Sequence, residues 1–430
     1  MASAAEHQHT SPARGCAYTV IRRVFEQGAY ADRALHAEAG DLEPRDRALA
    51  MQLAYGTVQR KRTLDHILGR LSSRPPERLD QPVLAALRLG LFQLAFLDGI
   101  AEHAAVNESV ELAKLHAHGG AGLVNAVLRR AARERSELLA DLEDSTPQAA
   151  AVLYSVPDWL AEMWWRELGE DEARELLREI NRPPESALRI NTLKGDPEPP
   201  VPWHTDPALP EGRVLDGAFD LFGSQLWEQG RVMPQSRGSM HVARSLAPQA
   251  GERVLDVCAA PGAKTTHLAA LMGNQGEVVA AEVHPGRAKA LQDLCARMGA
   301  GCIHVLHADA RELPAGMPPF DRVLVDPPCS GLGTLQSRPD LRWQERRGEI
   351  DALADKQLQL LRAGAEKLQP GGTLVYSVCT ISRRESEGVI ARFLHSAPEF
   401  ALERSEQLLP HRDGTDGFFI ARLRRVGPLR

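Results

Sequence analysis

Two different spacings of hydrophobic residues divide the chain. From Pro12 to about Glu137, apolar residues recur every three or four positions, as in RALAMQLAYGTVQ and QPVLAALRLGLFQLAFL. This spacing places apolar side chains on one face of a helix, whereas a half-buried strand alternates with a period of two. Breaks at Gly40-Asp41, at residues 72–76 and at Gly119-Gly120 leave about six helices. The N-terminal part is therefore predicted to be all-helical.

After Gly251 the pattern changes to short apolar runs that alternate with longer helical patterns. The runs predict five strands: Arg253–Val257, Glu277–Val283, Cys302–His307, Arg322–Val325 and Thr373–Tyr376. Strands that alternate with helices are typical of an α/β fold with a doubly wound parallel sheet. A last run, DGFFIARLRR, predicts one more strand, added late and antiparallel.

A mixed segment connects these two regions. PDWLAEMWWRELG and EDEARELLREINR predict a helix pair, SALRIN predicts a strand, and the proline-rich stretch 194–212 predicts a loop or linker. A chain of 430 residues exceeds the usual size of one domain. We therefore expect an all-helical domain at 1–140, a helical and strand connector at 141–240, and the α/β domain at 241–430.

Composition places the chain among ordinary globular proteins, with 43% hydrophobic and 25% charged residues. Six cysteines without a C-x-x-C pair are too sparse for a disulfide framework, so we expect reduced thiols and no structural metal. The opening residues lack a basic segment followed by an apolar core, and no run of eighteen apolar residues follows. We expect a cytoplasmic protein that does not enter the membrane.

The net charge of −6 argues mildly against nucleic-acid binding, but the charge is unevenly distributed. Residues 1–140 hold 18 Lys/Arg and 16 Asp/Glu. The cations cluster in QRKRT (residues 60–62 being basic) and in LRRAARER (residues 128–135). Such clusters are at least as often solvated helix faces. With a nucleic-acid substrate they would be expected to hold phosphates.

Two cysteines follow predicted strands. Cys329 lies in RVLVDPPCSGLGT, where Pro327-Pro328 ends a short apolar run, and Cys379 lies in YSVCTIS after another run. A single cysteine of this kind is more often a buried structural thiol. However, catalytic groups in open α/β sheets gather at the carboxyl ends of strands, so two cysteines placed alike indicate a shared site.

A ligand site is indicated where the first strand of the α/β region enters DVCAAPGAKTTHLAAL. Neither a phosphate loop nor the G-x-G-x-x-G fingerprint is present. The strand, turn and helix still expose backbone N–H groups that suit a carboxylate ligand. Glu282 ends the second strand, twenty positions beyond Gly262, and Asp309 follows the third. Acids there commonly bind ribose hydroxyls, so this pattern favours S-adenosylmethionine.

Four motifs together resemble the RNA (cytosine-5) methyltransferases, and among them the bacterial small-subunit (16S) ribosomal RNA methyltransferase B family, also called Fmu or Sun. They are LDVCAAPGAKTTHLA, VDPPCSGLGTLQSRPDLRW, LVYSVCTIS and DGFF. EHAAVNESVELAK and GLVNAVLRR are similar to the NusB-type RNA-binding domain that precedes the catalytic part in this subfamily. The resemblance spans nearly the whole chain. It implies a Rossmann-like methyltransferase domain and a monomer that binds 16S-type ribosomal RNA.

The resemblance implies methyl transfer from S-adenosylmethionine to cytosine C5 through a covalent bond between a cysteine and C6. Cys379 would be the nucleophile, and Cys329 would assist the breakdown of the adduct. Asp326 would hydrogen-bond the N3/N4 edge of the base, and Lys264 would stabilise negative charge on the ring. The implied cofactor-binding residues are Cys258, Ala259, Ala260, Pro261, Gly262, Ala263, Lys264, Glu282, Asp309 and Asp326.

The target base must leave its stack to reach these residues, so we expect a pocket beside them. The loop 338–340 and Trp343 are candidates for its wall, with a packing role for Trp343 equally open. The sequence departs from the family pattern at Ala263, at Ser236 and at Arg383-Arg384. None of these positions coincides with the two cysteines, with the aspartate or with the lysine, so activity is still expected.

Three alternatives remain open at this point. The methyltransferase acts on another RNA, or it is of the DNA type with Cys329 as the nucleophile. The third alternative is an inactive NusB-like assembly factor that only binds RNA. Functional groups retained at Cys329, Cys379, Asp326 and Lys264 argue against an inactive protein.

Overall fold

The structure is a computed structural model that describes residues 10–314 and 316–427. It divides into two compact units. The first extends to Asn181 and includes Leu335–Glu345, and the second comprises Arg182–Thr334 and the chain from Arg346 onward. The expected division at residues 140 and 240 stays a prediction. The opening residues 1–9, on which the expectation about a targeting segment partly rests, lie outside the described residues.

Helices dominate the first unit and cover the sheet in the second. Their bounds are α1 (Pro12–Gln27), α2 (Ala31–Glu38), α3 (Pro44–Gln59), α4 (Lys61–Leu71), α5 (Gln81–Phe96), α6 (Glu102–His116), α7 (Ala121–Arg133), α8 (Pro147–Leu153), α9 (Asp158–Leu168), α10 (Glu170–Glu179), α11 (Gln225–Glu228), α12 (Arg237–Leu246), α13 (Ala263–Leu271), α14 (Pro285–Met298), α15 (Leu341–Gln344), α16 (Arg347–Glu366), α17 (Glu387–Ser396) and α18 (Pro410–Asp413).

Strands occur in two sheets of the second unit. Their bounds are β1 (Ala187–Ile190), β2 (Trp203–Asp206), β3 (Leu209–Leu215), β4 (Val232–Pro234), β5 (Arg253–Asp256), β6 (Glu277–Glu282), β7 (Ile303–His307), β8 (Phe320–Val325), β9 (Leu368–Val378), β10 (Phe400–Leu408) and β11 (Phe418–Arg425).

The helical N-terminal part is confirmed, and α5 forms its centre. Twelve consecutive residues of α5, from Val83 to Leu94, are buried on every side of the helix. A helix that is apolar all round packs inside other helices rather than on the surface. The described chain has seven α-helices up to Arg133 instead of about six, because α3 and α4 are separated at Arg60 without a glycine or proline to mark the break.

The smaller sheet corrects one expectation. Its order is β2-β3-β1-β4, all antiparallel, and β2 and β3 form a hairpin that occupies much of the stretch predicted as a loop or linker. Pro210 occupies the second position of β3, where a missing backbone N–H is tolerated near a strand start. Pairing of β3 with β1 makes these residues a strand despite their composition.

The larger sheet has the order β10-β11-β9-β8-β5-β6-β7. The five predicted strands are confirmed as β5 to β9 and are parallel to one another. The late antiparallel strand is confirmed as β11, which pairs with β9. β10 was not predicted, because an edge strand whose side chains are mostly exposed, as in FALERSEQL, lacks an apolar alternation.

The parallel arrangement decides where the site lies. The carboxyl ends of β5, β6, β7, β8 and β9 reach one edge of the sheet, and the loops that follow them converge there. In the part of the chain that the structure describes, no helix is long and apolar enough to cross a membrane. The same described ranges contain no cluster of three His, Cys, Asp or Glu side chains with metal-binding geometry.

Candidate active site

The two cysteines expected to share a site lie side by side. The Cys329 Sγ is 3.3 Å from the Cys379 Sγ, and both residues are partly exposed. β8 and β9 are paired in parallel, with Val325 opposite Tyr376, so the loops that follow these strands begin at the same edge. Thiols at this separation can both reach one substrate atom pair.

An ion pair lies at the same edge. The Lys264 Nζ donates to Asp326 Oδ2 at 2.8 Å, and the Ser377 hydroxyl donates to Asp326 Oδ1 at 2.6 Å. The ammonium also lies 5.0 Å from the centre of the Phe418 ring, the first aromatic residue of DGFF. All four sequence motifs therefore contribute side chains to this edge of the sheet.

The surroundings of Lys264 and of Cys329 raise the pKa values of both groups. Burial alone would lower the pKa of Lys264, but the Asp326 carboxylate and negative charge at Cys379 raise it above its ordinary value. The hydrogen bond to Cys379 and burial raise the pKa of the Cys329 thiol well above its usual range. The arrangement therefore favours a protonated Cys329 and a lysine ammonium near Cys379.

The predicted cofactor loop links β5 to α13. Gly262 has φ +107°, and a Cβ there would approach the Leu291 side chain within 2.5 Å, so glycine is required. Ala263, where the family pattern has a second glycine, is the first residue of α13. Alanine is favourable there because the backbone is already helical. The loop residues Cys258, Ala259, Ala260 and Pro261 precede this turn.

Two acids stand after neighbouring strands, as expected. Glu282 is 4% exposed, and its Oε1 accepts the His284 N–H at 2.9 Å. Its Oε2 faces the Arg287 guanidinium at 3.7 Å. Both oxygens of Asp309 contact Arg311, which lowers the pKa of Asp309 to about 2. Of the two acids, Glu282 is thus held less closely by an arginine, so its oxygens are more available to accept hydrogen bonds from a ligand.

Asp256, the last residue of β5, is a site residue that the sequence reasoning missed. It is 1% exposed, and its Oδ2 accepts the Thr265 hydroxyl at 2.7 Å. Its Oδ1 is buried without a hydrogen-bond partner among the described residues. An acid that ends an otherwise apolar strand was the available signal for Asp256. Ser377, which the sequence reasoning also missed, lies near the end of β9, two positions before Cys379.

These residues fit S-adenosylmethionine. The N-terminus of α13 offers backbone N–H groups for a carboxylate, and Glu282 and Asp309 offer acceptors for ribose hydroxyls. Asp256 ends β5 immediately before this loop, and its buried Oδ1 has no hydrogen-bond partner in the described structure. Buried polar atoms are normally paired, so an unpaired one is best explained by a ligand or water.

The residues proposed for the wall of the base pocket belong to the first unit. The Trp343 Nε1 donates to the Val58 carbonyl at 2.7 Å, and Lys61 lies 4.8 Å from the indole centre. The packing role that the sequence left open for Trp343 is the one observed. Arg338, in the loop expected beside it, lies over the Tyr30 ring.

The two other departures from the family pattern have ordinary structural roles. Ser236 is the N-cap of α12, and its side chain accepts the Ser239 N–H. Arg384 pairs with Asp351 on α16 at 2.5 Å. Neither side chain contacts the thiol pair in the described contacts.

A parallel sheet whose carboxyl edge holds a cofactor loop, acids after neighbouring strands and a thiol pair defines an S-adenosylmethionine-dependent methyltransferase. Comparison with known proteins agrees with this class. Residues 243–424 match the family described as 16S rRNA methyltransferase RsmB/F, and residues 11–133 match the NusB family.

Known relatives cover most of the chain. Ribosomal RNA small subunit methyltransferase B of Thermus thermophilus is 36% identical, over 89% of this chain and 89% of that protein. The crystal structure of PH0851 is 28% identical with a TM-score of 0.79, over 96% of this chain and 99% of that one. NSun6 from Pyrococcus horikoshii with SFG is 25% identical with a TM-score of 0.59, over 64% and 100%. The chain therefore belongs to the RsmB/F family, as its motifs predict, and S-adenosylmethionine is its cofactor.

Proposed function

We propose that this chain methylates C5 of a cytosine in small-subunit ribosomal RNA through a covalent bond between Cys379 and C6. The observation that carries the proposal is the 3.3 Å separation of the Cys329 and Cys379 sulfur atoms beside the Asp326 and Lys264 ion pair. The names of relatives in the family support ribosomal RNA as the substrate class. The NusB-like region supports RNA binding by residues 1–140.

The chemistry requires a nucleophile because cytosine C5 does not attack a methyl sulfonium unaided. Cys379 adds as the thiolate to C6, and the ring electrons move to C5. Asp326 holds the N3/N4 edge of the base, and the Lys264 ammonium stabilises negative charge on the ring. When bound, S-adenosylmethionine supplies the electrophilic methyl group.

Release requires two bonds to break. A base must remove the proton from C5, and the electrons of the C5–H bond then form the C5–C6 double bond. At the same time the electron pair of the C6–Sγ bond returns to the Cys379 sulfur. Cys329 first releases its own thiol proton to water, and the resulting thiolate, adjacent to Cys379, is placed to accept the proton from C5. Once Cys379 is bonded to carbon it carries no negative charge, so the main cause that raises the pKa of Cys329 is removed.

The cofactor residues proposed from the sequence follow the same geometry. We assign the loop 258–264 to the methionine moiety and Glu282, with Asp309, to the ribose. Asp256 joins this set as an acceptor beneath the loop. We further propose that the protein acts as a monomer in the cytoplasm, where its RNA substrate is made.

Single alanine variants of the two cysteines test the proposal. Cys379→Ala removes the addition step, so methyl transfer and covalent protein–RNA species should both vanish. Cys329→Ala leaves addition possible but hinders release, so a covalent complex should accumulate and survive denaturing electrophoresis. Cys16→Ala, at a buried thiol of α1 in the first unit, should behave like the parent protein in this assay.

The alternative functions predict different outcomes in these assays. A DNA-type enzyme would form the complex with the Cys379 variant and not with the Cys329 variant. An inactive assembly factor would bind undermethylated ribosomal RNA without transferring tritiated methyl groups. A methylated RNA of another class, with ribosomal RNA unmodified, would contradict the substrate assignment alone.

A further inference from the structure

A buried carboxylate lies behind the thiol pair. Glu385 is 0% exposed, although it belongs to a stretch that begins with the exposed Arg383 and Arg384. Charged side chains are almost never fully buried without hydrogen-bonding partners. The contacts of Glu385 therefore explain why this side chain is inside.

The partners of Glu385 are the residues that directly follow the two cysteines. The Ser330 backbone N–H donates to Glu385 Oε1 at 2.9 Å, and the Ser330 hydroxyl lies 2.5 Å from Oε2. The Thr380 hydroxyl lies 3.3 Å from Oε2 and 2.7 Å from the Ser330 hydroxyl. One carboxylate thus joins the loop after β8 to the loop after β9.

Helix α16 and strand β9 complete the network. The Gln357 amide donates to Glu385 Oε1 and to the Pro328 carbonyl, both at 3.0 Å. The Tyr376 hydroxyl donates to the backbone carbonyl of Glu385 at 2.6 Å. These groups are buried, so the loops that carry the thiols cannot shift without breaking several hydrogen bonds.

The charges around the thiols are asymmetric. On the Cys329 side, the Glu385 carboxylate accepts a hydrogen bond from the Ser330 backbone N–H. The donors that contact this carboxylate are uncharged groups. Lys264 supplies positive charge on the Cys379 side. Besides the hydrogen bond to Cys379 and burial, the charge of Glu385 raises the pKa of Cys329.

We propose that Glu385 is a positioning residue that locks the two thiol loops together and makes the two thiols unequal, so that Cys379 rather than Cys329 attacks the base. This proposal rests on the function proposed above, in which Cys379 is the nucleophile. Because Glu385 is fully buried, it acts through Ser330 and Thr380 rather than on a bound ligand.

Thiol alkylation of the full-length protein tests this role without RNA or cofactor. Initial rates of reaction with iodoacetamide are measured against pH, and the Cys329 and Cys379 peptides are quantified by mass spectrometry. In the parent protein, Cys379 should react at lower pH than Cys329. Glu385→Gln should move the Cys329 profile to lower pH and narrow the gap between the two thiols. Glu387→Gln, an exposed neighbour, should leave both profiles unchanged.

Steady-state methylation separates positioning from general instability. Glu385→Gln should lower kcat by about tenfold, because small displacements of reacting groups are costly, while the KM for S-adenosylmethionine stays within about twofold. If the variant does not fold, as judged by thermal unfolding, Ser330→Ala removes the hydroxyl link and should change kcat in the same direction by less. Parent-like alkylation profiles and kcat in the folded variants would overturn the proposal.

The alkylation and methylation experiments distinguish a wrong role for Glu385 from a wrong reaction. If the parent protein makes no 5-methylcytosine but the alkylation gap narrows in Glu385→Gln, the positioning role stands and the proposed reaction is wrong. If the parent protein methylates cytosine and Glu385→Gln behaves like Glu387→Gln, the reaction stands and the role of Glu385 is wrong.

Discussion

Among single residues, Asp256 shows how burial changes a carboxyl group. It lies under the cofactor loop with one oxygen bonded to Thr265 and the other without a partner in the described structure. Burial raises the pKa of Asp256 from 3.8 to about 7, and the Thr265 hydrogen bond opposes this rise only in part. The folded protein therefore binds a proton at Asp256 that the unfolded chain has lost above about pH 4.

The sign of the pH effect follows from that raised pKa. A group with a higher pKa in the folded state stabilises the protein below its unfolded pKa, and this contribution is lost as pH rises towards 7. Asp256→Asn cannot titrate, so its cost in thermal stability, measured without cofactor, should be larger at pH 5 than at pH 8. Asp293→Asn, at an exposed position of α14, should show no such difference. An equal cost of Asp256→Asn at both pH values would contradict the assignment.

The segment Leu335–Glu345 is the element whose location is least expected. It continues the motif that begins at Asp326, yet it packs in the first unit as α15 and its flanking turns. Arg342 is 0% exposed, and its guanidinium donates to the carbonyls of Ser155, Ile180 and Leu335 at 3.1 to 3.3 Å. A planar group with five donors can satisfy carbonyls in several directions, which a lysine cannot.

Replacement of this arginine tests the element directly. Arg342→Lys should lower the free energy of unfolding by about 2–4 kcal/mol, because several buried carbonyls lose their donor at once. The measurement is chemical denaturation of the full chain. The same change at Arg346, an exposed position four residues along, should cost under about 0.5 kcal/mol. Equal stability of the two variants would show that the segment is held by other contacts.

At the scale of the whole molecule, positive charge distinguishes the N-terminal part, but the two basic clusters differ in availability. In the first cluster, Lys61 lies 3.7 Å from Asp65, and Arg62 is bonded to the Val156 carbonyl and to Asp158. These cations hold the first unit together. In the second cluster, Arg129 and Arg133 are exposed on α7. We therefore expect α7, rather than the first cluster, to contact phosphates.

Neutralising α7 tests this assignment better than truncation, because the first unit extends beyond residue 140 to Asn181. Arg129→Gln combined with Arg133→Gln should weaken RNA binding and reduce the slope of log affinity against log salt by roughly 0.7–0.9 for each lost phosphate contact. Affinity for S-adenosylmethionine should not change. The matched control, Arg74→Gln with Arg166→Gln, removes two exposed charges elsewhere in the unit. Equal salt slopes in both double variants would refute the role of α7.

The local pattern of apolar and polar residues alone was sufficient to predict much of the secondary structure of this protein. The strands β5 to β9 and β11 were predicted to within about five residues, because strands of a parallel sheet are mostly short apolar runs whose ends are marked by glycine, proline or acids. Parallel strands present their carboxyl ends at one edge, so Cys329 and Cys379 could be expected together before any distance was known. The sequence by itself also determined the family, through four motifs that each meet at this edge.

Only the tertiary structure decided which polar side chains are buried. Glu385 and Ser330 are 55 positions apart, and nothing in the run Arg383–Ser386 distinguishes a buried acid from a solvated one. The hairpin of β2 and β3 and the edge strand β10 form by pairing with neighbours, so their own composition did not predict them. Burial of a polar side chain depends on partners that are distant in the sequence, whereas helix and strand periodicity depends on residues a few positions away.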